Sequence, residues 1–298
     1  MAEEHLRAFL DRADDRMCAA PIFVIGSPRS GTTALSRALA CHSALWTSHE
    51  SYVLHQVFGE GRAAEAWRRD AERDQAPSWI KTEKVSRQEF LGFLGAGVNA
   101  LFTSRSEGRR WIDQTPLNTL MVDDLGDMFP GAQFVHILRD GRLVAHSMSH
   151  FLAKLRGRPA ARKYVPAWAT DFTEACRTWR RWTETAVEFC SENPDRAITV
   201  VNEQLSDAPR SGFTDLYRFL GIEWEDGPVE SFSGEKVNSS FAGTPSASAT
   251  GRTLPAWDPE RRAIFVEEAG DLMVAVGLAE PDELKAWMTG EPIGPDQA

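Results

Sequence analysis

The stretch from Pro21 to Ala40, PIFVIGSPRSGTTALSRALA, constrains this chain more than any other. An apolar run, Ile22 to Ile25, stops at a glycine. Gly26-Ser27-Pro28-Arg29-Ser30-Gly31-Thr32-Thr33 follows, and then Ala34, Leu35, Ala38 and Leu39 mark one face of a helix. A strand that passes through a glycine-rich turn into a helix aims backbone N–H groups and the positive end of the helix dipole at one point, which makes a cradle for an oxyanion. The spacing predicts that the amides of Ser30, Gly31, Thr32 and Thr33 form this cradle. The nucleoside-triphosphate version of the loop needs lysine just after the second glycine. Thr32 stands there, which disfavours ATP or GTP hydrolysis. The cation inside the loop is Arg29, whose guanidinium can pair bidentately with a phosphate or phosphosulfate group.

Beyond this loop the pattern keeps alternating. Further β-rich runs occur around Trp111–Ile112, at Gln133–Leu138 and at Ala197–Val201, with helical patterns between them. Thr119 to Met128 reads as a helix ended by Phe129-Pro130-Gly131. A long helix is expected from about Trp168 to Cys190, with Trp179, Trp182 and Ala186 on one stripe, and a shorter one is stopped by Gly221. Strands alternating with helices predict an α/β fold, a P-loop-like parallel sheet flanked by helices, with ligands bound at the carboxyl ends of the strands. The expected organisation is an N-terminal helical segment (1–20), one main domain (21–280) and a C-terminal tail (281–298). The Ser/Thr/Gly/Pro-rich stretch at 238–255 reads as a long loop, either a surface connection or a lid.

Composition narrows the ligand. The net charge of −10 repels polyanions, so nucleic acid and anionic membranes are not expected partners. An anion must be held by a few local cations and amides. The longest apolar stretch, Phe90 to Phe102, is too short to span a bilayer and contains three glycines. No secretory signal is legible, so a soluble, cytoplasmic protein is expected. Cys18, Cys41, Cys176 and Cys190 show no close pairing and read as reduced core thiols.

A second motif, FVHILRDGRLVAHSMSHF, follows a later strand. Arg139 lies at the strand end and Ser147 two helical turns on, so the two can converge on one phosphate. Together the motifs resemble those of sulfotransferases that use 3′-phosphoadenosine-5′-phosphosulfate (PAPS). Gly26 to Thr33 looks like the 5′-phosphosulfate loop of that family, in the arginine-bearing form of its tyrosylprotein and bacterial branch. The resemblance runs from about Pro21 to Leu278 and implies a sulfotransferase-type fold with PAPS as donor, 3′,5′-bisphosphoadenosine as product and no required metal. It implies that Arg139 and Ser147 hold the 3′-phosphate. Lys236, Ser239 and Ser240, in EKVNSSF, resemble a late cofactor-side segment and are candidate contacts.

The resemblance also bears on the acceptor. In the arginine-loop branch a glutamate after the first helix acts as the base; Glu50 matches it, and His49 is the runner-up. Relatives often carry lysine before Thr-Pro to steady the sulfuryl group. Here Gln114 precedes Thr115-Pro116 and keeps a donor without the charge, with Lys81 or Lys84 as possible substitutes. His146 and His150 have i, i+4 spacing but no third ligand nearby, which points away from zinc. The implied reaction is sulfuryl transfer to a hydroxyl of a small-molecule or natural-product acceptor. The alternatives are peptide tyrosine O-sulfation, a nucleotide-binding module without transfer activity, and a P-loop kinase, the last weakened by Thr32.

Overall fold

The computed structural model describes residues 17–73, 77–154, 165–234 and 254–290. In chain order its main elements are β1 (Ile22–Ile25), α1 (Thr32–Leu39), β2 (Leu45–Thr47), α2 (Val53–Phe58), α3 (Arg87–Thr103), β3 (Arg110–Asp113), α4 (Val122–Met128), β4 (Gln133–Leu138), α5 (Gly141–Ser149), α6 (Phe172–Glu192), β5 (Ala197–Val201), α7 (Asn202–Asp207), α8 (Pro209–Leu220), α9 (Pro259–Ala275) and α10 (Pro281–Thr289). The five strands form a parallel sheet in the order β2-β3-β1-β4-β5, the expected α/β architecture.

β1 explains why its sequence is an unbroken apolar run. It is the middle strand and both of its faces are covered, the usual condition of a parallel sheet. Phe23 and Ile25 point into one core with Trp111, Phe129 and Phe134. Ile22 and Val24 point into the opposite core with Leu35, Val135, Phe213 and Leu216. All four are fully buried, and each such side chain contributes about 1.5–3 kcal/mol. β1 is flanked by β3 on one side and β4 on the other, so the chain winds both ways from it. A crevice therefore opens at its carboxyl end.

α6 ties the cores together. Asp171 caps its first turn by accepting from Glu174 N–H at 3.0 Å. Trp179 packs in a third core, while Ala186 and Phe189 reach the Phe23 core. The helix begins after a short 3₁₀ turn, Ala167–Ala169, slightly later than its sequence suggests. The third core is built from α5, α6, α9 and α10. In α10, Leu284 and Trp287 are buried, so a packed helix occupies the start of the region read as a tail. Arg142 links the same layers. It is paired with Asp140 and donates to Glu283 at 2.7 Å.

The structure adds one strand and corrects two expectations. β2 has only three residues and gives no periodic signal; it exists because it pairs with β3, Trp46 opposite Trp111. The helix expected from Thr119 is a 3₁₀ turn, Pro116–Met121, that passes into α4, because Pro116 opens the segment. The cysteines are all free, but Cys41 is exposed and only Cys176 is fully buried. Among the described residues no helix is long and apolar enough to cross a membrane.

Candidate active site

The loop after β1 fills the crevice at the sheet's carboxyl end. Gly26 has a φ of 149° and Gly31 a φ of 113°. A Cβ on Gly26 would sit 2.7 Å from the Ile137 carbonyl oxygen, and one on Gly31 would sit 2.5 Å from Asn202 Nδ2. Only glycine fits either place. Thr119 Oγ1 bonds both to Gly26 N (2.9 Å) and to Gly26 O (3.1 Å), and Asn202 Nδ2 donates to Ser30 O at 3.1 Å. The loop backbone is thus fixed from two distant parts of the chain.

One detail of the expected cradle changes. Ser30 N–H closes a turn on Ser27 O at 3.1 Å, so that amide is spent inside the loop. Thr32 and Thr33 open α1, and its N-cap Gly31 offers no side chain to cap the first turn. The leading N–H groups of a helix lack intrahelical partners, which leaves them for an anion. Ser30 Oγ is buried with no hydrogen-bond partner. These features fit a bound phosphate or phosphosulfate group.

Arg29 is where the two sequence motifs meet. It takes a left-handed backbone, φ 75°. Its Nε donates to Ser147 Oγ at 3.2 Å, and its carbonyl accepts from Arg139 Nη1 at 3.1 Å. Burial and the neighbouring Arg139 guanidinium both lower the Arg29 pKa, and Glu50 opposes them. Two guanidiniums this close favour a shared anion.

Arg139 has its own support. Its Nε is buried without a hydrogen bond and lies 3.8 Å from Glu203 Oε1. Burial lowers the Arg139 pKa, against Glu203 and Asp140, and burial raises that of Glu203. Sequence reasoning missed Thr119, Asn202 and Glu203 as braces of the site. The only signal for the last two was the Val201-Asn202-Glu203 turn at a strand end. Asn118, beside Thr119, is also buried, with both carboxamide atoms unpartnered.

The acceptor candidates sit on the loop between β2 and α2. Glu50 is half-buried and within electrostatic reach of Arg29, whereas His49 is exposed. The Tyr52 hydroxyl donates to Glu50 Oε2. Gln114 does not stand as a free donor in the crevice. It is buried, its Nε2 donates to Ser48 O at 2.8 Å, and its Oε1 accepts from Thr47 Oγ1 at 2.8 Å. It fastens the root of the Glu50 loop, and the polarity of Thr47 and Ser48 selects an amide there. Asp113 and Thr115 hold the same loop through Ser51, at 2.9 and 3.0 Å.

The remaining candidates lie elsewhere. Lys81 is exposed and donates to Arg73 O, and Lys84 is an exposed helix end. His146 accepts from Trp257 Nε1 at 3.3 Å and lies against His150 at a tilt, with ring centroids 4.2 Å apart. Lys236, Ser239 and Ser240 fall outside the described residues, as does almost all of the 238–255 stretch.

A glycine-rich strand-to-helix loop without lysine thus stands at the centre of a parallel sheet in an α/β protein, and Arg29 and Arg139 meet at it. The chain belongs to the sulfotransferase family, whose model matches residues 21–226. Protein-tyrosine sulfotransferase 1 of Danio rerio is 26% identical over 206 residues, 69% of this chain and 54% of the relative. The protein-tyrosine sulfotransferase of Drosophila melanogaster is 24% identical over 216 residues, 69% of this chain and 38% of the relative. The chain spans about half the length, or less, of these relatives. Among solved structures, sulfotransferase STF1 of Mycobacterium tuberculosis H37Rv is similar with a TM-score of 0.48 at 18% identity, covering 89% of this chain and 80% of that one. Mouse sulfotransferase SULT7A1 complexed with PAP gives 0.47 at 16%, covering 97% and 95%.

Proposed function

We propose that the chain moves a sulfuryl group from PAPS to a hydroxyl of a small-molecule or natural-product acceptor. The observation that carries this reading is the meeting of three groups at Arg29: Ser147 on its side chain, Arg139 on its carbonyl, and Glu50 within electrostatic reach. When bound, PAPS supplies the sulfuryl group. The residues of the chain do the rest. The N-terminus of α1, Ser30 and Arg29 bind and orient the 5′-side anion. Arg139 and Ser147 hold the 3′-phosphate, with Lys236, Ser239 and Ser240 proposed as further contacts. Arg29 and the loop amides stabilise charge that grows on the leaving oxygen. Glu50 takes the proton of the acceptor hydroxyl, and His49 is the second candidate for that role. The four free cysteines fit a reducing, cytoplasmic setting.

A second acceptor class, the tyrosine hydroxyl of a peptide, is supported by the names of the curated relatives. Calorimetry tests the donor side: 3′,5′-bisphosphoadenosine should bind more tightly than ATP, without magnesium. Mass spectrometry of acceptor panels, small phenols and alcohols against tyrosine peptides, reads sulfate addition and separates the two acceptor classes. Sulfate on no acceptor, despite tight cofactor binding, would leave a nucleotide-binding module.

A further inference from the structure

Tyr52 presents a hydroxyl to the candidate base from within the chain itself. Its phenol O–H donates to the Glu50 carboxylate, and that carboxylate lies within electrostatic reach of Arg29. The arrangement is fixed at the backbone. Ser51 N–H donates to Thr115 Oγ1 at 3.0 Å, Ser51 Oγ donates to Asp113 at 2.9 Å, and Tyr52 N–H reaches Thr115 Oγ1 at 3.5 Å. Tyr52 itself has a φ of 54°, a conformation that costs a non-glycine residue energy and persists where surrounding contacts enforce it. The residue is 39% exposed, so the ring is not walled into the core. Tyr217 differs on each count: it is buried, and its hydroxyl donates to Glu225 O at 3.0 Å. Burial and the bond to Glu50 raise the Tyr52 phenol pKa, so at neutral pH it is protonated and needs a base to react.

We propose that Tyr52 is a sulfation site that the chain modifies on itself, its phenol taking the acceptor's place against Glu50. This rests on the reading of Glu50 as base and PAPS as donor. In the step, the phenol O–H bond breaks and its proton passes to the Glu50 carboxylate. The freed oxygen pair forms the new O–S bond. The S–O bond to the donor's phosphate breaks, and its electron pair leaves with 3′,5′-bisphosphoadenosine. Nothing is oxidised or reduced. The product is a tyrosine sulfate ester beside Glu50, an added anion across the path by which an external hydroxyl reaches the base. Self-sulfation would therefore limit the chain's own turnover.

The experiment incubates the full chain with PAPS and no acceptor, then maps the mass gain by peptide mass spectrometry. The expected result is one sulfuryl group on Tyr52, at a rate independent of protein concentration. It is absent in Tyr52→Phe and slowed by about 10²–10⁴ in Glu50→Gln. A ligand-free readout accompanies it: in an ultraviolet pH titration, the phenol that Tyr52→Phe removes should ionise at lower pH in Glu50→Gln than in the wild type. An unchanged titration would show that the contact is absent and would overturn the proposal. So would an unmodified Tyr52 in a chain that binds 3′,5′-bisphosphoadenosine by calorimetry, or a rate that rises with protein concentration. Failure of 3′,5′-bisphosphoadenosine to bind would overturn the donor reading and this one with it.

Discussion

The two sides of the crevice are built differently. On the proposed donor side the loop backbone is held at Gly26, Arg29 and Ser30 by Thr119, Arg139 and Asn202, which come from three separate parts of the chain. On the proposed acceptor side the loop from Ser48 to Tyr52 is fastened at its two ends, Ser48 to Gln114 and Ser51 to Asp113 and Thr115, while the His49 side chain and the Tyr52 ring are exposed. A part that must present fixed charge to a fixed group gains from being over-determined. A part that must admit a hydroxyl on a variable body needs a held base and a free edge. If that contrast is real, substitutions on the two sides should separate affinity for the donor from turnover.

Glu50→Gln should give the largest effect. A carboxylate can take the acceptor's proton, and an amide of the same shape cannot. Turnover should fall by about 10²–10⁴. Affinity for 3′,5′-bisphosphoadenosine, measured by calorimetry, should stay constant. A parallel loss of both would erase the contrast between the two sides, because Glu50 would then support the loop of Arg29.

Acid should act through a buried histidine beneath the proposed donor side. His136 pairs beside Ile25 in the sheet, just beneath the loop, and is fully buried. Its Nδ1 lies 3.2 Å from Thr199 Oγ1, and its Nε2 has no partner. Burial lowers its pKa to about 3. The unfolded chain has an ordinary histidine there, titrating near 6.5. Between those values the unfolded state binds a proton that the folded state refuses, so stability falls as pH falls through that window. The loss approaches about 1.4 kcal/mol per pH unit. Melting temperatures of the wild type and His136→Leu between pH 7 and 4 check this. The variant should lose less as pH drops. Parallel curves would mean that position 136 has no part in the acid response.

How much of this could be read beforehand follows the same division. The donor side announced itself because glycine spacing, a following helix and a strand-end arginine are local signals. Four of the five strands were legible for the same reason, each carrying β-branched, aromatic or aliphatic residues in sequence, from the unbroken run of β1 to the Trp111–Ile112 pair of β3. β2 was not, because three residues carry no period and its stability comes from β3. The bonds of Gln114 were not legible beforehand, because a motif gives position along the chain and not side-chain direction. One residue past β3, its carboxamide turns toward Thr47 and Ser48. Tyr52 carried no sequence signal at all, since its contact with Glu50 depends on a positive φ that the local sequence does not demand.

Arg29→Ala comes next in size. It removes a guanidinium that Ser147 already contacts and that an incoming anion would share. A charge-assisted hydrogen bond is worth about 1.5–3 kcal/mol. Affinity for 3′,5′-bisphosphoadenosine should fall by the corresponding factor of roughly 10–150, and turnover with it. Arg29→Lys should land between, because it keeps the charge and loses the planar fork. If affinity survives in both variants while turnover collapses, Arg29 serves the transferring group alone and the donor side is held by the helix end.

Gln114→Lys should have the smallest effect, and it tests the acceptor root directly. If the side chain faced the sulfuryl group, a lysine would restore the charge that relatives often carry, and turnover would rise. The buried amide instead bridges Thr47 and Ser48. A lysine can still donate to Ser48 O, but it offers the Thr47 hydroxyl no acceptor, leaving it the Ile112 carbonyl at 3.1 Å, and brings a charge into a buried place. The cost of a lost hydrogen bond is about 1 kcal/mol, spread between stability and the placement of Glu50. Turnover should therefore drop several-fold, with affinity for 3′,5′-bisphosphoadenosine unchanged. Gln114→Glu sharpens the test, because it keeps the acceptor for Thr47 and loses the donor for Ser48 O. It should lower turnover in the same direction. Opposite responses to the two charges would mean that position 114 feels the transferring group electrostatically, and the root and the reacting centre would then be one structure.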